Sequence, residues 1–163
     1  MQHLEHPFPP AFDENCRILI LGSFPSVRSR SDGFYYGHPQ NRFWRILAAV
    51  FGEGIPTNIS DKRAMLLRHH IALWDVIAIC DIEGSSDASV KNPVPVDISV
   101  ITNSAHIEKV ICNGNLAHKL YQRHLESVVG LPAYVMPSTS PANASYSLDK
   151  LIAAWKDVLC YNP

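Results

Sequence analysis

The sequence predicts an α/β domain, a three-layer α/β/α sandwich around a central four-stranded parallel sheet, and three observations predict it. Runs rich in Ile, Leu and Val, without polar alternation, recur at residues 17–21, 71–80, 109–112 and 133–136, as strands buried on both faces read. Segments with apolar residues at three- and four-residue spacing separate them, so strands alternate with helices and right-handed crossovers give a parallel sheet covered on both sides. The 163 residues, 47% of them hydrophobic, suit one domain with a full core.

Residues 1–15 hold Pro7, Pro9 and Pro10 with little periodicity, so they read as an extended arm, packed on or trailing from a single domain at 16–163. The first strand ends at Gly22 and runs into Gly-Ser-Phe-Pro (22–25) and a polar loop. Pro39 suits the first turn of a helix, and Phe43, Ile46, Leu47 and Val50 recur at helical spacing until Gly52. That places Asn41 in the helix's first turn. Ser60 is an N-cap for a second helix to about His69, residues 71–80 supply the second strand, and residues 83–95 read as loop. A short helix at 97–104 leads to the third strand, and Asn113-Gly114-Asn115 turns the chain into a helix through about Leu125. The fourth strand, a loop at 137–143 and a closing helix at 147–159 complete the chain. In such sheets ligands bind beyond the carboxyl ends of the strands, which points to the loops at 23–41, 81–92, 113–115 and 137–143.

The net charge of −1 argues against an indiscriminate polyanion binder, yet Arg17, Arg28, Arg30, Arg42, Arg45, Lys62, Arg63 and Arg68 face only Asp32, Glu53 and Asp61 within residues 17–68. Such a local excess can attract phosphates, or can be a solvated basic face. Cys16, Cys80, Cys112 and Cys160 are far apart, lie in or beside apolar runs and form no Cys-x-x-Cys; they read as structural. His3 with His6, and His69 with His70, lack a third ligand, so neither a metal nor another cofactor is expected. No leader pattern and no stretch of roughly 20 apolar residues is present, so the expected location is cytoplasmic, away from membranes, and the expected state is a monomer.

Between Gly22 and Trp44 the chain gathers Gly-Ser-Phe-Pro-Ser and Gly-Phe-Tyr-Tyr-Gly-His-Pro-Gln-Asn-Arg-Phe-Trp, a composition that suits a binding loop and that no core requires. With Ser-Thr-Ser-Pro-Ala-Asn at 138–143, these segments resemble the two signature motifs of the uracil-DNA glycosylase superfamily, and the order of elements agrees over nearly the whole chain. The layout of 22–25 and 38–44 is similar to that of the mismatch-specific uracil and thymine glycosylase branch. Phe24 departs from that branch, which has a water-activating Asn there; with Asn41 retained, the combination resembles the deoxyinosine (hypoxanthine) glycosylase family.

The resemblance implies a monofunctional glycosylase acting on DNA that contains a deaminated base. It would hydrolyse the N-glycosidic bond of a flipped nucleotide, hypoxanthine first and mismatched uracil as the alternative. Asn41 would be the catalytic residue, an amide that positions water. Tyr36 would stack on the base, with Tyr35 able to serve instead, and Gly22, Ser23 and Phe24 would line the pocket through backbone groups. Asp75 lies near the position where related enzymes read the base edge, and a buried structural role is equally open. His38, Ser138, Ser140, Pro141, Asn143 and Lys91 are the candidate DNA contacts, although Ser-Pro-Ala-Asn is also ordinary turn chemistry and His38 could simply cap its loop. Asn92 could reach DNA or be solvated, and Asn113-Gly114-Asn115 offers backbone donors at a helix entry. Phe24 also motivates a DNA-binding module that has lost catalysis. A serine hydrolase has no Gly-x-Ser-x-Gly elbow to support it.

Overall fold

The computed structural model describes residues 1–160. Its centre is a four-stranded parallel sheet formed by β2 (Ile18–Gly22), β3 (Ile71–Asp75), β6 (Lys109–Asn113) and β7 (Ala133–Met136), in the order β3-β2-β6-β7. Leu19, Ile20 and Leu21 of β2 and Val110, Ile111 and Cys112 of β6 are fully buried, which is why these strands show no alternation: both faces are covered. Strand β7 is the edge, and Tyr134 and Val135 there are exposed. Helices α2 (Phe43–Phe51) and α7 (Leu148–Leu159) pack on each other, α3 (Ile59–Arg68) lies against β3, and α5 (Asn115–His124) lies against β6 and β7. Short helices α1 (Val27–Asp32), α4 (Ser99–Thr102) and α6 (Glu126–Val129) complete the set.

The run at 71–80, expected as one strand, is two strands in two sheets. After Asp75 the chain bends at Val76, whose N–H donates to Gly22 O (2.8 Å) while that of Ile77 donates to Ser23 O (3.1 Å). Strand β4 (Ile77–Ile82) then enters a separate antiparallel sheet between β1 (Gln2–Glu5) and β5 (Lys91–Pro95). A continuous apolar run looks the same whether it stays straight or turns a corner, because both halves are buried. The segment expected as loop at 83–95 supplies a 3-10 turn at Asp87–Ser89 as well as β5, and Pro93 and Pro95 suit a strand at the sheet's edge.

The N-terminal arm is packed on the domain. Strand β1 pairs with β4, Ala11 bridges Leu73, and the Tyr35 hydroxyl donates to Pro9 O at 3.0 Å. Helix starts also shift. α3 is capped by Asn58, whose side chain accepts from Asp61 N, in place of Ser60. α2 begins at Phe43, so Pro39 and Asn41 precede it, and the Asn41 side chain accepts the Phe43 N–H at 3.0 Å. The amide thus serves a helix end that its own backbone does not enter.

Candidate active site

Chain order in the parallel sheet reverses between β2 and β6, and a crevice opens beyond the carboxyl ends of strands at such a point. Here it is a cavity of about 970 Å³. Gly22, Asp75, Asn113 and Met136, the last residues of the four strands, all line it.

At the floor, Asp75 Oδ2 receives His6 Nε2 at 2.8 Å, with both side chains nearly inaccessible. Asp75 Oδ1 takes no hydrogen bond among the described residues. A Cβ on residue 22 would lie 2.4 Å from Asp75 Oδ1 and 2.7 Å from the Tyr36 hydroxyl, so the carboxylate and the phenol come together over the end of β2 only because residue 22 is glycine. The Tyr36 ring stacks on Phe43, centroids 4.2 Å apart. Its hydroxyl is buried and meets no hydrogen-bonding partner among the described residues. Burial, with Asp75 adding to it, raises this phenol well above its ordinary value and Asn113 opposes weakly; it remains protonated at neutral pH.

A second carboxylate belongs to the rim. Ser23 Oγ donates to Asp87 Oδ1 at 2.7 Å, tying the end of β2 to the 3-10 turn. The residue keeps one side open to solvent, but its carboxyl packs against the cavity wall. That burial raises it above the ordinary value, the Ser23 hydrogen bond pulls it back, and nearby Asp75 adds a smaller rise.

On the opposite wall three side chains form one chain of hydrogen bonds. Asn113 Nδ2 donates to Thr139 Oγ1 (3.0 Å), Thr139 Oγ1 donates to Asn41 Oδ1 (2.9 Å), and Thr139 N–H returns to Asn113 Oδ1 (3.1 Å). Asn41 Oδ1 therefore carries two donors, the Thr139 hydroxyl and the Phe43 amide. Its Nδ2 is the group left for a ligand, so the amide is a donor toward the cavity.

Arg42 clamps the loop at 138–146. Its guanidinium donates to the carbonyls of Ser140 (2.7 Å), Asn143 (3.0 Å) and Tyr146, and Nε reaches Thr139 O. Inside the loop, Ser138 Oγ and Ser140 Oγ accept from the amides of Ser140 and Ala142, and Asn143 Nδ2 donates to Ser138 O. These side chains shape the loop from within. The other basic residues of 17–68 are likewise engaged: Arg28 with Asp32, Arg68 with Glu53, Arg17, Arg30 and Arg45 with backbone carbonyls, and Lys62 and Arg63 over aromatic rings. The local positive excess is largely a set of internal clamps.

Of the residues singled out from sequence, Gly22, Ser23, Phe24, Tyr36, His38, Asn41, Asp75, Ser138, Ser140, Pro141 and Asn143 all line this cavity. Phe24 is 8% exposed, and the Arg30 guanidinium lies 5.8 Å from the centroid of its ring. Lys91 stands apart, on β5 and outside the lining. Tyr35 also touches the cavity, but its hydroxyl is anchored to the arm and the residue is almost fully buried. Sequence reasoning missed His6, Asp87, Thr139 and the clamping role of Arg42. Thr139 lies within a motif already noted, but its total burial and its link to Asn41 follow from tertiary packing alone. Among the described residues, no group of three or more His, Cys, Asp or Glu side chains could hold a metal ion, and no helix is long and apolar enough to cross a membrane.

The comparisons with known proteins agree with this geometry. The chain is 36% identical over 149 residues to a Hypoxanthine DNA glycosylase from Methanosarcina acetivorans, covering 90% of this chain and 93% of that protein. It is 35% identical over 152 residues to the Methanosarcina barkeri protein of the same name, covering 92% and 94%. Its fold superposes, with a TM-score of 0.82 and 32% identity over 97% of both chains, on the solution NMR structure of a Methanosarcina acetivorans protein proposed to be a uracil DNA glycosylase. The family model of the Uracil DNA glycosylase superfamily matches residues 9–159, which takes in the cavity and both motif loops, and the chain belongs to that superfamily.

Proposed function

We propose that the protein is a monofunctional DNA glycosylase that releases hypoxanthine from deoxyinosine by hydrolysis. The observation that carries this reading is the Asp75 carboxylate at the cavity floor: one oxygen is held by His6, and the other accepts no hydrogen bond among the described residues. A base placed there needs an N–H on its buried edge, which hypoxanthine presents at N1 and uracil at N3, whereas adenine presents none at N1; the acceptor thus selects for a deaminated base. The two relatives named Hypoxanthine DNA glycosylase support the same substrate.

In the proposed reaction the nucleotide leaves the helix, its base enters the cavity against the ring of Tyr36, and the loop at 138–143 holds the flanking phosphates. Stacking of this kind contributes roughly 1–3 kcal/mol per base. The C1′–N9 bond breaks with its electron pair going to the base, water adds to the oxocarbenium-like sugar, and the proton that the water loses is balanced by protonation of the departing hypoxanthine anion. Asn41 Nδ2 holds the water oxygen by donating to it, leaving a second lone pair for attack. Among the described residues no lysine lines the cavity, so the proposal includes no Schiff-base step.

Labelled duplexes with deoxyinosine, uracil or xanthine at one position, incubated with the protein and then cleaved at abasic sites with alkali, test this reading. Strand cleavage at deoxyinosine is expected. Cleavage at uracil with deoxyinosine untouched would overturn it in favour of mismatch-type uracil chemistry, and DNA binding without any abasic product would point to an inactive binding module.

A further inference from the structure

We propose that His6, delivered by the N-terminal arm, is a positioning residue that fixes Asp75 as a one-way acceptor and thereby lets the cavity separate hypoxanthine from adenine. This inference rests on the substrate reading above.

The two residues are 69 positions apart and meet at 2.8 Å, with side chains 6% and 5% exposed. The His6 backbone N–H is anchored to Ala78 O at 2.7 Å. Its ring is enclosed by Phe8, with centroids 4.6 Å apart, and by Phe24 at 5.9 Å. The imidazole therefore has little freedom to turn. A carboxylate only accepts, so the proton in this contact sits on His6 Nε2. That donation occupies Oδ2 and leaves Oδ1 over the space where residue 22 lacks a side chain.

Adenine and hypoxanthine differ on the edge this oxygen would meet. Hypoxanthine carries N1–H, a donor that a carboxylate accepts; adenine carries a lone pair at N1, which a carboxylate repels. Sites built around a buried hydrogen-bonding group reject the analogue lacking its partner by about 10⁴–10⁵. A glycosylase for deaminated adenine needs such rejection because its substrate is embedded in an excess of normal adenine. Guanine shares the N1–H, but extruding it breaks a stable pair with cytosine, whereas a mispaired deaminated base leaves the helix at lower cost.

The geometry makes a specific forecast for Asp75→Asn. The His6 Nε2–H must still be met by an oxygen, so the amide oxygen turns to His6 and Nδ2 turns to the cavity, placing a donor where an acceptor stood. The measurement is the affinity ratio between duplexes carrying 2′-fluorinated deoxyinosine and 2′-fluorinated deoxyadenosine opposite thymine, since the fluorine slows cleavage. The wild type is expected to prefer the inosine duplex, and Asp75→Asn to lower that ratio by roughly 10- to 100-fold, the size expected for losing a charge-assisted hydrogen bond. His6→Ala is expected to lower the ratio as well, His6→Gln to retain it because its amide can donate from the place of Nε2, and the double variant Asp75→Asn with His6→Ala to bring it down to the residual preference set by the weaker inosine·thymine pair alone. An unchanged ratio in Asp75→Asn, or a full wild-type ratio in folded His6→Ala, overturns the inference while hypoxanthine release by the wild type stands. Absence of hypoxanthine release by the wild type overturns the proposed function and this inference together. If His6→Ala does not fold, the Asp75→Asn ratio decides alone.

Discussion

Asn41 shows how packing narrows what a side chain can do. An amide in isolation both donates and accepts, and here the Thr139 hydroxyl and the Phe43 amide take the oxygen, leaving the donor. Replacement by aspartate tests the consequence, because it keeps an acceptor for both internal partners and removes the donor. Asn41→Asp is expected to lower the single-turnover rate about as far as Asn41→Ala, on the order of 10²-fold or more as for loss of a transition-state donor, with DNA affinity much less affected. Retained activity in Asn41→Asp would instead make the residue an acceptor that activates water. The role of Gly22 is as local: the close approach of Asp75 Oδ1 leaves no room for a Cβ, whereas the glycine at the end of α1, Gly33, is required by its left-handed φ of 79°.

Among elements, the link that matters most joins the start of α2 to the loop at 138–146. Arg42 makes that link through its guanidinium and through its own N–H, which donates to Thr139 O at 3.1 Å. It holds the loop against the helix that also carries Asn41's partner, Phe43, so the two motifs act as one body. Arg42→Ala is expected to cost at least about 2 kcal/mol of stability, since charge-assisted bonds contribute roughly 1.5–3 kcal/mol each. Amide hydrogen exchange within 138–146 should rise together with the loss seen by denaturant unfolding. An unchanged exchange rate there would show that the loop holds itself. The sequence already placed both motifs at strand ends, because turn residues after buried strands are a local signal. The bond between them spans about a hundred residues and leaves no such signal.

For the whole molecule, burial separates the four cysteines. Cys16, Cys80 and Cys112 are fully buried and Cys160 is exposed. Burial raises the Cys16 and Cys80 thiols and pushes Cys112 up to about 12, so these groups remain thiols through neutral pH, where the thiolate is the reactive form. The native protein should take one alkyl label, at Cys160, and four in denaturant, counted by mass spectrometry. Labelling of Cys112 at the rate of Cys160 would mean that the sheet beside the cavity opens in the native state. The N-terminal arm belongs to the same account: expected as an extended segment, it is a strand of the second sheet and brings His6 to the cavity floor.

The sequence by itself determined the parallel sheet, the order of its four strands along the chain and the loops that meet at their carboxyl ends. These follow from patterns within a few residues: uninterrupted apolar runs for strands covered on both faces, helical spacing between them, and glycine, proline and small polar residues where the chain turns. Most of the cavity lining lies on the loops so marked, and the resemblance singled out the individual residues within them. Tertiary structure alone decided that the run after Ile71 divides between two sheets, that Asn41 precedes its helix and keeps only its donor free, and that His6 and Arg42 act on partners 69 and about a hundred residues away. Such pairings depend on which surfaces the topology brings together, and a side chain's remaining hydrogen-bonding capacity is known only once its neighbours have used the rest.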